Sequence, residues 1–239
     1  MEAAAFNRRN KKQKTDMNKL KFLTLCLVLA VSSFTLQSCN DDDDTGSTYF
    51  PNALVTLKTN ADTGAFYMQL DDATTLVPTN IKTAPYGGKE VRALVNFKED
   101  QKTTGHSSRS VYVNWIDTIR TKPMVLHSAD DDQIYGKDPI EVVNSWATVV
   151  EDGYFTLRFR TLFGSNKPHE LNLVKCNEPY TVEIRHNAHG DVSGYPADGL
   201  IAFRLNQLPD TEGKTVLLTV KWQSFTGEKK AQFKYCTRK

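Results

Sequence analysis

Apolar and polar residues alternate along most of the chain from about residue 48 onward, and long runs with helical spacing are absent. Val111, Val113 and Trp115, for example, alternate with Tyr112 and Asn114. A period of two places successive side chains on opposite faces of a strand, so each segment has one face for a core and one for solvent. The sequence therefore predicts an all-β protein.

The first block of alternation, residues 48–127, predicts five short strands punctuated by turn residues. Five closely spaced strands in about 75 residues suit a small closed barrel of the OB type. The predicted strands cover residues 53–59, 66–71, 74–77, 90–98 and 109–121.

A second block follows a polar, acidic stretch, SADDDQIYGKD, which begins at Ser128. This composition is typical of an interdomain linker, here predicted over residues 128–141. Residues 142–239 then predict about seven further strands, which fit a seven-stranded β-sandwich. Phe155, Leu157 and Phe159 form one of its expected inward-facing rows.

Residues 1–38 have the composition of a leader. Lys19 and Lys21 precede an apolar run over residues 22–31, which is the layout of an export signal. A membrane-spanning helix needs about 20 apolar residues, and this run is much shorter. Translation is expected to begin at Met17, because the basic residues before it belong to neither the signal nor the fold.

The four residues Leu36-Gln37-Ser38-Cys39 end this leader. They resemble the lipobox of bacterial lipoproteins. The resemblance implies cleavage between Ser38 and Cys39 and attachment of the lipid anchor to Cys39. Several acyl chains hold a protein on a membrane far longer than one chain does. A soluble secreted protein with a chance cysteine near its cleavage site is the alternative.

Four aspartates, Asp41, Asp42, Asp43 and Asp44, follow the cysteine almost at once. Consecutive like charges repel one another, so residues 39–47 are predicted to form a lipidated acidic tether. An acidic run at this place resembles the signal that sends lipoproteins of some Gram-negative bacteria to the cell surface. The resemblance implies a lipid-anchored protein of the bacterial outer membrane that faces outward. A passive spacer is the alternative.

The charge balance argues against a nucleic-acid partner. Residues 1–38 hold seven of the 30 basic and two of the 28 acidic residues, so residues 39–239 carry a net charge of −3. Binding through phosphate neutralisation requires a basic surface, which this composition does not supply. The expected partners are the outer membrane, through the lipid anchor, and a glycan or protein ligand.

Two cysteines remain after export and lipidation, Cys176 and Cys236. In an oxidising compartment such a pair is predicted to form a disulfide. Two separately buried thiols are the alternative.

Two short motifs carry groups that are used in catalysis or metal binding. The triplet at Asp62 matches the active-site sequence of aspartic proteases, but the chain has no second copy, and the same residues suit a hairpin loop. His186, His189 and Asp191 lie close in sequence, but they read as the end of a strand and its turn. We therefore predict no catalytic residues, no metal site and no cofactor.

The segments NKPHELNLV, from Asn166, and VEIRHNAHGD, from Val182, together with the lipobox and the aspartates, resemble the NigD-like lipoproteins. The resemblance implies an OB-type N-terminal domain followed by a β-sandwich. The family has no established enzymatic activity that the resemblance would carry over to this chain, and its name comes from an association with bacteriocin operons.

The leading hypothesis for function is a surface-anchored lipoprotein that binds a glycan or an envelope or extracellular protein. The second is protection of the envelope, as in bacteriocin immunity, which rests on the family's association. A surface hydrolase is third.

Overall fold

The computed structural model describes residues 48–100 and 107–238. The predicted cleavage site, Ser38 and Cys39, the lipid anchor at Cys39 and the predicted export signal, Asp41, Asp42, Asp43 and Asp44, lie outside the described residues. Within the described ranges, no helix is long and apolar enough to cross a membrane.

The N-terminal module is a closed five-stranded barrel with the strand order β1-β2-β3-β5-β4. Its strands are β1 (Ala53–Thr59), β2 (Phe66–Gln69), β3 (Thr75–Pro78), β4 (Val91–Glu99) and β5 (Ser108–Thr118). Alternate side chains point into the barrel, where Val55, Met68, Leu76, Val95 and Val111 are fully buried. The five predicted strands are confirmed, with ends that differ by up to three residues.

The turn between β1 and β2 contains Asp62. The side-chain oxygen of Asn60 accepts hydrogen bonds from the backbone N–H groups of Asp62 and Thr63, both at 2.9 Å. Gly64 closes the loop with a backbone bond to Asn60 and a φ of +69°, which favours glycine. The Asp-Thr-Gly triplet is therefore a hairpin loop with an exposed Asp62.

The C-terminal module is a β-sandwich of two five-stranded sheets among the described residues. The first sheet contains β6 (Thr121–Pro123), β8 (Glu141–Val142), β9 (Val149–Glu151), β10 (Tyr154–Phe163) and β13 (Tyr195–Arg204). The second contains β7 (Val125–Leu126), β11 (Glu170–Lys175), β12 (Thr181–Asn187), β14 (Val216–Ser224) and β15 (Gly227–Tyr235). The all-β class and the barrel-plus-sandwich architecture are confirmed, with ten strands in the sandwich where seven were predicted.

The sandwich core lies between the two sheets. Phe155, Leu157 and Phe203 from the first sheet pack in one cluster with Leu173 and Leu218 from the second. All five are fully buried, and each contributes about 1.5–3 kcal/mol of transfer free energy. The period-two rows of the sequence thus become the facing inner surfaces of the sandwich.

The sandwich begins earlier than the sequence predicts. Strand β6 pairs with β13 and strand β7 pairs with β11, so residues 121–126 already belong to its sheets. Residues 128–141, predicted as a linker, pack against it and include the short helix α1 (Asp131–Tyr135). Asp131 is buried. Its carboxylate has polar partners there, because it accepts the N–H of Ser128 at 2.8 Å and lies 2.6 Å from His127 Nδ1.

The two cysteines are not brought together, contrary to the predicted disulfide. Both thiols are free. Cys176 follows β11 and Cys236 follows β15, and two strands of the sheet separate these elements. Neighbouring strands are about 4.8 Å apart, so the backbones are roughly 14 Å apart or more, whereas a disulfide needs Cα atoms within about 7 Å.

Candidate functional site

A buried arginine ties the barrel to the sandwich. Arg92, on β4, is fully buried. Its guanidinium donates to Thr56 at 3.0 Å within the barrel, and to Thr156 at 3.2 Å and Glu151 at 3.1 Å in the sandwich. Burial lowers the pKa of Arg92, and the adjacent Glu151 carboxylate opposes that shift. Removing one partner of a buried ion pair leaves an unpaired charge and is strongly destabilising. These bonds of Arg92, called the joint below, therefore hold the two modules in one arrangement.

A second polar cluster lies beside the first, around the ring of Tyr154. The Tyr154 hydroxyl donates to Glu90 at 2.5 Å, and Arg238 donates to the same carboxylate at 2.7 Å. Arg92, Arg204 and Arg238 each lie about 6 Å from the ring centroid, within cation–π range. Burial would raise the pKa of Glu90, but the bonds from Arg238 and Tyr154 hold it below its usual value.

An open cleft of about 560 Å³ lies next to this joint, between the two modules. The barrel supplies residues of β1, β2 and the β2–β3 turn, and the sandwich supplies the β9–β10 turn, the loop before β14 and the C-terminal residues. Its volume is in the range of small-ligand sites. The lining residues are Lys58, Tyr67, Gln69, Asp72, Asp152, Gly213, Cys236, Thr237 and Arg238.

Asp152 is the central charged group of the cleft. Its Oδ1 pairs with Lys58 at 2.7 Å, and its backbone N–H donates to Asp72 at 3.0 Å. Its Oδ2 is buried, accepts no hydrogen bond from the described residues, and lies 3.7 Å from Arg238. Asp152 has a φ of +48° and Gly153 one of +74°, which is the geometry of a two-residue hairpin turn between β9 and β10. The turn and the ion pairs with Lys58 and Arg238 therefore hold the Asp152 carboxylate in place.

The cationic groups of the cleft already have partners. Lys58 is paired with Asp152, and Arg238 is paired with Glu90. The exposed acceptor that a ligand would meet in the cleft is the carboxylate of Asp72, next to the ring of Tyr67. Tyr67 lies on β2, and the second and third strands of OB barrels carry the surface that often binds oligosaccharides or single strands.

The structure places His169 between His186 and Asp191, a contact that the sequence pattern did not predict. His169 Nδ1 lies 2.9 Å from His186 Nε2, and His169 Nε2 lies 3.4 Å from Asp191. Asp191 accepts the backbone N–H groups of Gly164 and Ser165, so it organises a loop. His189 is exposed in the turn. No group of three metal-ligating side chains occurs in the part of the chain that the structure describes.

The architecture defines a two-module protein, an OB-type barrel joined to a β-sandwich, with a polar cleft between the modules. The NigD-like N-terminal OB domain matches residues 54–119, and the NigD-like C-terminal β-sandwich domain matches residues 122–235. The chain belongs to the NigD-like family. No curated protein matches it.

Solved structures share this architecture. A protein from Parabacteroides distasonis named as toxin-related is 34% identical with a TM-score of 0.65, over 77% of this chain and 92% of that one. A NigD-like immunity protein from Bacteroides caccae is 19% identical with a TM-score of 0.55, over 77% and 96%. A protein from Bacteroides fragilis named as a lipoprotein is 16% identical with a TM-score of 0.52, over 78% and 98%. The last two show likeness of fold alone.

Proposed function

We propose that the chain is a lipoprotein, anchored through Cys39 to the outer membrane and facing the cell surface, that binds a glycan in the cleft between its modules. The observation that carries the binding proposal is the cleft itself, in which the ring of Tyr67 and the exposed carboxylate of Asp72 lie on the OB strand surface. The lipobox sequence and the lipoprotein name of the B. fragilis relative support the anchor.

The chemistry of the cleft favours a ligand rich in hydroxyl groups. Sugar hydroxyls can donate to the exposed carboxylate of Asp72, and the apolar face of a sugar ring can lie against Tyr67. A nucleic acid would bring phosphates toward the carboxylates of Asp72 and Asp152, which is unfavourable. An extended protein segment offers N–H donors and is the other ligand that this surface could accept.

The test is a glycan panel probed with residues 45–239 and two single variants. Tyr67→Ala removes the ring of the cleft. Tyr195→Ala is the matched control, because Tyr195 is 85% exposed and lies at the other end of β13 from the cleft. It is nine residues from Arg204, the residue of β13 that pairs with Tyr154 next to the cleft. We expect the parent and the control to retain a glycan and Tyr67→Ala to lose about tenfold or more in affinity. Equal retention by all three proteins would contradict the cleft assignment.

Envelope protection is the second candidate, because two relatives are named as an immunity protein and as toxin-related. The same immobilised protein can be challenged with envelope and culture extracts. Retention of a toxin-like protein, abolished by Tyr67→Ala, would place protection ahead of glycan recognition. Retention of glycans alone would leave the first proposal in place.

Surface display is tested separately by replacing Asp41, Asp42, Asp43 and Asp44 with Ala while keeping Cys39. We expect this variant to be acylated and membrane-bound but no longer reached by protease added to intact cells. Surface labelling equal to the parent would mean that the aspartates are only a spacer.

A further inference from the structure

Large aromatic side chains are exposed where the described chain begins. Tyr49 and Phe50 are 89% and 72% exposed, and Tyr112, on β5, is 52% exposed. Aromatic groups of this kind are enriched in surfaces that bind partners or the membrane interface. The barrel therefore has an exposed aromatic surface that is separate from the cleft residues of β1 and β2.

Hydrogen bonds fix this segment against the barrel. The Nε1 of Trp115 donates to the carbonyl of Thr48 at 2.5 Å, and the side-chain amide of Asn96 donates to the carbonyl of Phe50 at 2.7 Å. Asn52 also bonds to both backbone groups of Phe97, at 2.7 Å and 3.1 Å. The segment from Thr48 to Asn52 thus crosses strands β4 and β5.

The strand register places the other aromatic groups on the same outer surface. Trp115 is opposite Asn96, and Tyr112 is opposite Lys98. The β-bulge between Asn96 and Phe97 leaves Asn114 as the extra residue, so Tyr112 and Trp115 share the outward face. Tyr49, Phe50, Tyr112 and Trp115 are called the aromatic face below.

We propose that the aromatic face docks on the headgroup region of the lipid bilayer that holds the anchor. The proposal rests on the lipidation of Cys39 proposed above. Nine residue steps separate Cys39 from Thr48, and they span at most about 30 Å. The lipid therefore keeps the aromatic face within reach of the bilayer, where Tyr and Trp side chains prefer to lie at the level of the headgroups.

The charges between the lipidated cysteine and the barrel specify the kind of lipid. Asp41 to Asp44 lie in the connecting segment and are repelled by an anionic surface, whereas a zwitterionic headgroup imposes no such penalty. Docking on a zwitterionic bilayer fixes how the protein is oriented. The lipid anchor alone leaves the protein free to rotate about its tether.

The experiment uses the full lipidated chain in phosphatidylcholine vesicles whose acyl chains carry bromine, which quenches tryptophan fluorescence at short range. The Trp146→Phe background leaves Trp115 and the buried Trp222 as reporters. We expect bromine to lower the Trp115 emission by about twofold, and Tyr49→Ser/Phe50→Ser to remove most of that quenching. Tyr195→Ser/Leu217→Ser is the matched control, because both residues are exposed on the sandwich.

Vesicle flotation separates the two levels of the proposal. Failure of the protein to float with the vesicles would show that lipidation, and with it the proposed anchor, is wrong. Flotation without quenching of Trp115 would overturn the docking proposal while the anchor stands. Equal quenching in the parent and in the Tyr49→Ser/Phe50→Ser variant would overturn it as well.

Discussion

His186 should make the sandwich lose stability in mild acid. Its imidazole is buried, its Nε2 faces His169, and its Nδ1 has no hydrogen-bond partner among the described residues. Burial, with a smaller effect of His169, lowers the pKa of His186 to about 4, and Asp138 opposes the shift. The neutral form is therefore favoured in the folded protein.

The sign and size follow from linkage. In the unfolded chain a histidine takes up its proton near pH 6.5, whereas folded His186 resists protonation until about pH 4. Acidification between these values favours the unfolded state, and stability is restored as the pH rises above 6.5. Each unit of pKa difference corresponds to 1.36 kcal/mol, so about 3 kcal/mol of unfolding free energy is lost across this range.

The assay is urea unfolding at pH 7 and at pH 4.5, followed by tryptophan fluorescence. His186→Gln cannot take up a proton and should lose about 2–3 kcal/mol less than the parent between the two pH values. Protonation of carboxylates lowers the stability of both proteins. The difference between their losses of unfolding free energy therefore reports the protonation of His186. His189→Gln is the control, because His189 is exposed in the neighbouring turn. An identical loss in the parent and in His186→Gln would refute the argument.

Three further outcomes test the fold. Arg92→Met should cost about 3–5 kcal/mol in chemical unfolding, because Glu151 then lacks its partner, and adding Glu151→Leu should recover most of that loss. Gly194→Ala should lower the melting temperature, because Gly194 has a φ of +117° and an added Cβ would lie 2.2 Å from a backbone oxygen. Mass spectrometry of an unreduced digest should show free Cys176 and Cys236. In Cys236→Ser, Cys176 should react about 100-fold more slowly with iodoacetamide at pH 8 than a thiol of ordinary pKa, because burial raises the pKa of Cys176 to about 11.

The strands of the barrel could be predicted because each is long enough to show its period. Strand β1 ends at the predicted residues, and β4 and β5 are found within three residues of prediction. Strands β6, β7, β8 and β9 have only two or three residues. A segment that short cannot display alternation, so its pairing is decided by the long strand beside it.

The supposed linker shows where composition misleads. The row of aspartates from Asp130 to Asp132 is typical of a solvated segment, yet Asp131 is buried and holds the start of α1. Hydrogen bonds with Ser128 and His127 satisfy its carboxylate. The only sign of these bonds in the sequence is that Ser128 and His127 lie three and four residues before Asp131.

The cleft could not be predicted from local patterns, because its charged groups are far apart in the chain. Lys58 and Asp152 are separated by 94 residues, and Asp152 and Arg238 by 86. The only local signal is the Asp152-Gly153 turn, where both residues have positive φ. The pairing depends on how the two modules pack, which a single sequence does not display.

Strand β4 connects the barrel to the rest of the molecule through its outer row. Alternation predicts that Arg92, Leu94 and Asn96 face solvent, but the sandwich covers Arg92 and Leu94, and the segment from Thr48 covers Asn96. A barrel expressed alone, residues 48–119, would expose this row and leave Arg92 without Glu151 and Thr156. We expect it to unfold at lower urea than the two-module protein, in which residues 47–239 form one compact unit. Equal urea midpoints would show that the outer row of β4 contributes nothing to the barrel, and that the joint only orients the modules.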